Sequence, residues 1–340
     1  MKAIQWIISA LVAVVIIAAA VGGGVYFTRL KSIHSIRKLT DYENYNLYRM
    51  DIDYAYDLDR LIDRGITDNQ SMINAILAEA LPYLPIHMKA PNFGCSAFCT
   101  QGTDGHTLMG RNYDFKNDTS AMLVYCTPKD GYASVAFAAL DNINANTPDA
   151  SMAKKLATLT APFICLDGMN EKGVSIAVLT LDSDPTYQQT GKPMIATTLA
   201  IRLVLDRAAT TAEAVELLSK YDMFASSGRD YHFYITDASG DGRVLEYDCN
   251  DPARPLTIQA RMPPRRRIFC LSIRSFTPRI PTLQAGCAST APTLTTLWFR
   301  QTTVITCAAG LTDCIPPPER CFWMSAAALP RQTPPERPMP

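Results

Sequence analysis

The sequence predicts an α+β protein in which helices are stacked on β-sheets. Short runs of β-branched and aromatic residues, bounded by turn residues, recur between residues 107 and 181. Two stretches with helical periodicity follow between residues 195 and 218, and two further strand-like runs lie between residues 231 and 247. A series of strands, then helices, then strands again is typical of stacked helix and sheet layers.

Seven segments have the composition and length of strands. Turn residues separate them, and Thr103-Asp104-Gly105 and the run from Asp237 to Gly242 have the composition of hairpin turns. The first hairpin turn predicts that the segment after Gly94 pairs with the strand that follows it. The predicted strands are residues 107–115, 122–125, 134–138, 163–166, 174–181, 231–236 and 243–247.

The two helices are predicted from apolar spacing. Residues at i, i+3, i+4, i+7 and i+10 form one stripe that begins at Ile195 and includes Arg202 and Leu205. Thr211 is the predicted N-cap of the second helix, whose apolar stripe contains Val215 and Leu218. A shorter helix is predicted over residues 71–81.

The N-terminus has the pattern of a membrane-spanning segment. Residues 3–28 carry no charge, and Arg29 and Lys31 close the run. A helix of this length spans about 39 Å, whereas a bilayer core needs about 30 Å. The sequence therefore predicts a transmembrane helix within residues 1–30. A cleaved signal segment is the alternative, because small residues between Ala18 and Gly24 could form a cleavage site.

Charge is balanced over the whole chain but not along it. The 340 residues carry 32 basic and 32 acidic side chains, which disfavours a nucleic-acid partner. Residues 251–340 hold eleven arginines against four acidic residues, a formal charge of +7, with no lysine, tyrosine or asparagine. Such a composition indicates a shifted reading frame. A genuine Pro/Arg-rich segment that recruits a partner is the alternative.

These patterns divide the chain into four parts. We predict a membrane anchor or signal segment at 1–30, a pro-segment or connector at 31–94, a folded domain at 95–250 and an atypical tail at 251–340.

The basic residues up to Lys38 favour a cytoplasmic body by the positive-inside rule. The oligomeric state cannot be read from these patterns.

The candidate chemistry centres on Cys95 rather than on a metal or a cofactor. The four histidines lack ligand spacing and no C-x-x-C pair occurs, so zinc is not expected, and no cofactor motif is present. Cys95 follows Gly94 at the end of a proline-rich stretch. Cleavage there would give an N-terminal cysteine, in which the α-amine serves as the base for the thiol. A buried structural cysteine is the competing interpretation.

Residues downstream of Cys95 favour the catalytic interpretation. Arg111 and Asp114 follow it by 16 and 19 residues, within Gly110-Arg111-Asn112-Tyr113-Asp114-Phe115. The sequence resembles the choloylglycine hydrolase family of linear amide C–N hydrolases in this spacing and in the run from Asp167 to Gly173. The resemblance extends from about residue 40 to about residue 250. It implies an N-terminal-nucleophile (Ntn) hydrolase αββα sandwich.

The resemblance also implies roles for single residues. Cys95 is the expected nucleophile, which forms a thioester with the substrate's acyl group. Arg111 is expected to stabilise the thiolate, and Asp114 to hold the α-amine. Thr180 occupies the position of a pocket asparagine in the family's bile salt hydrolases, so it is a substrate-binding candidate. Asn170 is interpreted as a structural turn residue, and the body is expected to lie outside the cytoplasm, as in secreted relatives.

Two departures from the family pattern qualify this expectation. Cys95 lies 94 residues into the chain, so activity would require removal of a pro-segment. The family's later asparagine has no counterpart, because no asparagine follows Asn250, and the sandwich is therefore expected to be truncated at its C-terminus. The alternative function is a catalytically dead, membrane-anchored relative that acts as a binding protein.

Overall fold

The computed structural model describes residues 2–84, 88, 95–101, 106–113, 119–181, 183–259 and 303–306. The helices are α1 (Lys2–His34), α2 (Leu58–Asp63), α3 (Asn69–Ala80), α4 (Met152–Ala157), α5 (Thr197–Arg207) and α6 (Thr211–Ser219). The strands are β1 (Arg37–Lys38), β2 (Leu47–Ile52), β3 (Cys95–Gln101), β4 (Thr107–Tyr113), β5 (Ala121–Cys126), β6 (Ser134–Ala139), β7 (Cys165–Asn170), β8 (Ser175–Leu181), β9 (Met194–Ala196), β10 (Asp222–Phe224), β11 (Asp230–Thr236), β12 (Gly242–Tyr247), β13 (Leu256–Gln259) and β14 (Thr303–Thr306). These elements confirm the predicted α+β class.

A nine-stranded sheet forms the centre of the described structure. Its strand order is β1-β2-β5-β6-β7-β8-β11-β12-β13, and every neighbouring pair is antiparallel except β2 and β5. The central strands β7, β8 and β11 are buried along almost their whole length. Such continuous burial requires cover on both faces of the sheet.

Helix α5 packs against one face of this sheet. Gly168 in β7 permits the close approach, because a Cβ atom there would lie 2.8 Å from the Leu205 side chain. Helix α5 contributes a nearly continuous buried surface that includes Leu199, Leu203 and the unusual core residue Arg202. The apolar stripe predicted from the sequence is therefore the face that covers the sheet.

A second sheet, ordered β14-β4-β3, lies on the other face. Arg111 in β4 reaches Asp167 in β7, and the Cys99 Sγ atom in β3 lies 3.7 Å from the Thr236 Oγ1 atom in β11. The described residues thus stack in the order helix, sheet, sheet. The described parts of the tail are residues 251–259 and 303–306: β13 pairs with β12, and β14 pairs with β4.

Two predicted boundaries differ from the structure. Residues 163–166 were expected to form a strand, but Thr158–Phe163 is a 3-10 helix and β7 begins at Cys165. The N-cap of α6 is Thr210, whose side chain accepts a hydrogen bond from the Glu213 amide, rather than Thr211. The turn predicted at residues 103–105 lies outside the described residues.

The predicted transmembrane helix is not supported by the structure. Among the described residues, no helix combines the length and the apolar character that crossing a membrane requires. The C-terminal turns of α1 belong instead to the globular body. Arg29 is buried and donates hydrogen bonds to the Ala80 and Glu79 carbonyl oxygens, and the Tyr26 hydroxyl bonds to the Pro82 carbonyl oxygen.

The described part of the predicted pro-segment is built into the same fold. Strand β2 pairs with β5 over six residues, so residues 47–52 extend the central sheet. The Tyr54 hydroxyl donates to the Leu159 carbonyl oxygen at 2.5 Å, and Asp59 forms an ion pair with Arg207 at 2.7 Å. The sequence suggests a connector because three prolines lie between residues 82 and 91, yet Tyr54 earlier in the stretch makes a buried contact.

Candidate active site

The β3–β4 hairpin sets the relative positions of the predicted nucleophile and its cation. Cys95 pairs in register with Tyr113, and Ala97 pairs with Arg111. The backbone of Cys95 is thus two residues along β3 from the position opposite Arg111. The Cys95 side chain and the whole of Asp114 lie outside the described residues, so their predicted roles stay predictions.

Arg111 is a buried residue that joins the two sheets. Its Nη1 atom lies 2.8 Å from the Asp167 Oδ2 atom, and both side chains are 3% exposed or less. Its Nη2 group donates to the Val178 carbonyl oxygen at 3.4 Å, and the guanidinium lies 5.5 Å from the Tyr113 ring centroid. Arg111 is therefore an interior cation and not an exposed surface residue.

Burial governs the electrostatics of this pair. Burial raises the pKa of the Asp167 carboxyl above its usual value of 3.8, and the Arg111 cation and the Phe137 amide partly offset the rise. A buried carboxylate without a cation would be costly, so each partner keeps the other charged in the interior. The pair therefore fixes a positive group beside β3 and against the central sheet.

Thr180 lies away from this pair. Register pairs Asp167 with Ala177 in β8, so these two side chains share one face of the sheet. Side chains alternate along a strand, and Thr180 is three residues from Ala177, so it shares the opposite face with Ile176 and Val178. The structure does not bring Thr180 to Arg111, and its substrate-binding role stays a prediction.

Asn170 has the structural role that the sequence predicts. Its Nδ2 group donates to the Leu205 and Ala208 carbonyl oxygens at 3.1 and 2.7 Å. Its Oδ1 atom accepts hydrogen bonds from the Lys172 and Val174 amides, each at 3.1 Å. The side chain therefore ties the β7–β8 turn to the end of α5 and has no bonding capacity left for an oxyanion.

Sequence reasoning missed three buried polar groups. Asp167 was seen only within a turn motif. Arg202 was placed on an apolar stripe, although an aspartate four residues later signals its ion pair with Asp206 at 2.6 Å. His232 forms a contact of 2.8 Å between its Nδ1 atom and the Glu246 Oε1 atom, which no local spacing reveals because the two residues are on different strands.

The fold and this site together define a layered α+β domain in which a strand hairpin carries a buried arginine opposite Ala97, two residues along β3 from Cys95. Residues 95–251 match the sequence model of the linear amide C–N hydrolases, choloylglycine hydrolase family. This match confirms, for residues 95–251, the resemblance seen in the sequence.

Solved structures give weaker likenesses. A mutant of the conjugated bile acid hydrolase from Clostridium perfringens is 18% identical, with 54% of each chain covered and a TM-score of 0.35. Penicillin V acylase from Agrobacterium tumefaciens is 22% identical, with 50% of this chain and 53% of that chain covered and a TM-score of 0.33. The chain spans about half the length of these structures.

Proposed function

We propose that the protein hydrolyses a linear amide C–N bond with Cys95 as an N-terminal nucleophile, after cleavage of the Gly94–Cys95 bond. One observation carries the proposal: the family match begins at Cys95 itself. The β3–β4 register supports it, because it brings Arg111 to the strand position next to Ala97. The substrate's acyl and amine groups are left open by these observations.

The proposed reaction proceeds through a thioester. The α-amine of Cys95 takes the thiol proton while the sulfur attacks the amide carbon, and a tetrahedral intermediate forms. The C–N bond then breaks, and the leaving amine takes the proton from the α-ammonium group. Water attacks the thioester, with the α-amine again accepting a proton, and the carboxylic acid and free thiol are released.

Arg111 and Asp114 have separate roles in this proposal. Arg111 stabilises the thiolate, and its ion pair with Asp167 holds the guanidinium in place while sharing its charge. Asp114 accepts a hydrogen bond from the α-ammonium group and keeps that group near the sulfur. The extracytoplasmic location and a membrane partner stay predictions of the sequence alone.

The experiment compares the wild type with Cys95→Ala and with the control Cys99→Ala. N-terminal sequencing and intact mass are expected to show a mature chain that starts at Cys95 in the wild type and in Cys99→Ala. Both should release amine from penicillin V or a panel of N-acyl amides, whereas Cys95→Ala should stay uncleaved and inactive. A wild type with an intact Gly94–Cys95 bond and no hydrolysis would leave the binding-protein alternative.

A further inference from the structure

A cluster of three side chains crosses neighbouring strands of the central sheet. His232 in β11 contacts Glu246 in β12, with 2.8 Å between the Nδ1 and Oε1 atoms. Gln259 in β13 donates from its Nε2 group to the second carboxylate oxygen of Glu246, also at 2.8 Å. A carboxylate only accepts hydrogen bonds, so the imidazole Nδ1 is the donor. The ring orientation is therefore fixed, and the neutral ring has its lone pair on Nε2.

The Nε2 atom of His232 has an unused bonding capacity. The side chain is 8% exposed, and within the described part of the chain its Nε2 atom finds no hydrogen-bond partner. A buried polar atom without a partner is destabilising, so such an atom calls for an explanation. A ligand that supplies a donor group would remove this cost.

Strand register places His232 on the face that carries Asp167. Asp167 pairs with Ala177, Ala177 pairs with Tyr234, and His232 is two residues from Tyr234 on the same strand. Two strand spacings and two residues separate the Cα atoms of Asp167 and His232, a distance of about 12 Å. The face that holds the proposed reaction centre therefore also holds His232.

Strand β3 covers the same face. Its Cys99 lies against Thr236, which is four residues along β11 from His232 and shares its side. The Nε2 atom is thus on the layer between the two sheets, where a substrate bound beside β3 and Arg111 would extend. The opposite face of β11 packs toward helix α6 and offers no such route.

We propose that His232 is a specificity-determining residue of the proposed amidase, with its Nε2 atom accepting a hydrogen bond from the substrate. The inference rests on the proposed function for the identity of the substrate as an amide. An acceptor requires a donor, so the preferred substrates are linear amides that carry a hydroxyl or a second N–H group away from the scissile bond. Glu246 is the positioning residue that holds the acceptor in place.

The test uses matched substrate pairs that differ by a hydroxyl in place of a methyl group. One pair has the hydroxyl on the amine side, as N-acyl-L-serine and N-acyl-L-2-aminobutyrate methyl esters. The other has it on the acyl side, as 10-hydroxydecanoyl and undecanoyl amides. The wild type is expected to favour the hydroxyl member of at least one pair in kcat/KM by about tenfold, the value of one hydrogen bond.

Three variants separate a substrate contact from a structural role. His232→Phe should lose the preference, His232→Gln should keep part of it because its amide oxygen is an acceptor near the Nε2 position, and the exposed control His34→Phe should keep all of it. Thermal unfolding of each variant shows whether it folds. The proposal is overturned if the wild type has no preference in either pair, or if His232→Phe slows both members of a pair equally.

Failure of the proposed function gives a different result. If the wild type hydrolyses no amide, calorimetric titration of the same pairs into wild type and His232→Phe still measures the preference as a ratio of dissociation constants. A tenfold preference that His232→Phe abolishes supports the contact at His232 even then. Equal affinities for both members of each pair overturn it.

Discussion

Arg111 and Asp167 are buried charged residues, and each compensates the charge of the other in the interior. Both are almost fully buried, and removing either leaves the partner's charge in the interior without compensation. Replacing both with apolar residues of similar size removes that cost. The pair therefore allows the stability effect of a lone buried charge to be separated from the functional effect of the cation.

We predict that Arg111→Met lowers the free energy of unfolding by about 3–5 kcal/mol at pH 7. The loss should shrink as the pH falls, because burial favours the protonated, neutral form of Asp167 and the pKa of that carboxyl is already raised. Urea denaturation of the wild type and of Arg111→Met at several pH values measures this loss in the free energy of unfolding. The double variant Arg111→Met/Asp167→Leu should recover most of the stability but no hydrolytic activity.

The matched control is Arg207→Met, which breaks the exposed ion pair with Asp59. Exposed ion pairs contribute about 0–1 kcal/mol to the free energy of unfolding, so this variant should be almost as stable as the wild type. An equal loss in Arg207→Met and Arg111→Met would contradict the importance of burial at Arg111.

At the scale of elements, one carboxylate joins a helix to a hairpin. Asp237 follows β11, and its Oδ2 atom accepts a hydrogen bond of 2.8 Å from the Thr211 amide at the start of α6. Its Oδ1 atom accepts one from the Ser239 amide, which shapes the β11–β12 turn. Burial alone raises the pKa of Asp237, but hydrogen bonds from the Ser239 hydroxyl and from the Thr211 and Ser239 amides outweigh it and hold the pKa below the usual 3.8.

We predict a pH-dependent cost for Asp237→Asn. A depressed pKa in the folded state means that the unfolded chain binds more protons in acid, so the stabilisation is present above pH 4 and is lost as the pH falls through the folded-state pKa. The variant should be less stable than the wild type by about 1 kcal/mol at pH 7, with a difference that narrows below pH 4. Thermal or urea unfolding from pH 3 to 7 measures this.

Asp130→Asn is the control for Asp237→Asn, because Asp130 is an exposed residue in the turn between β5 and β6. Its unfolding curve should follow that of the wild type at every pH. A cost for Asp237→Asn that stays constant from pH 3 to 7 would show that charge at this position plays no part.

At the scale of the whole molecule, the described chain before Leu84 contributes to the fold. Strand β2 occupies a place in the central sheet, and Met50 in it is completely buried. The Tyr56 hydroxyl donates to the Asp206 carboxylate, which also pairs with the buried Arg202. Loss of this segment would expose the edge of β5 and leave part of that polar cluster without a partner.

We therefore predict that the two chains produced by cleavage at Gly94–Cys95 stay associated. They should elute together in gel filtration under native conditions and separate in 6 M urea, with one cooperative unfolding transition. Tyr56→Phe should weaken the association without preventing cleavage. Recovery of a folded fragment that starts at Cys95 and lacks the N-terminal chain would contradict this prediction.

Helices and strands were predicted more accurately from the sequence than contacts between residues far apart along the chain. The strands over residues 134–138 and 231–236 and both central helices were predicted within a few residues, because apolar periodicity and turn residues are local signals. The β7 boundary was missed because a 3-10 helix with a proline precedes it. The pairing of β2 with β5 was not predicted, because it joins segments about seventy residues apart.

By itself the sequence determined the α+β class, the order of most elements and the spacing of Cys95, Arg111 and Asp114, since these are properties of contiguous chain. The tertiary structure alone decided that Arg111 meets Asp167, that His232 meets Glu246 and that Thr180 faces away from both. These contacts depend on strand register and on which faces of two sheets pack together. Register is set by the burial of whole strands, which no short stretch of sequence specifies.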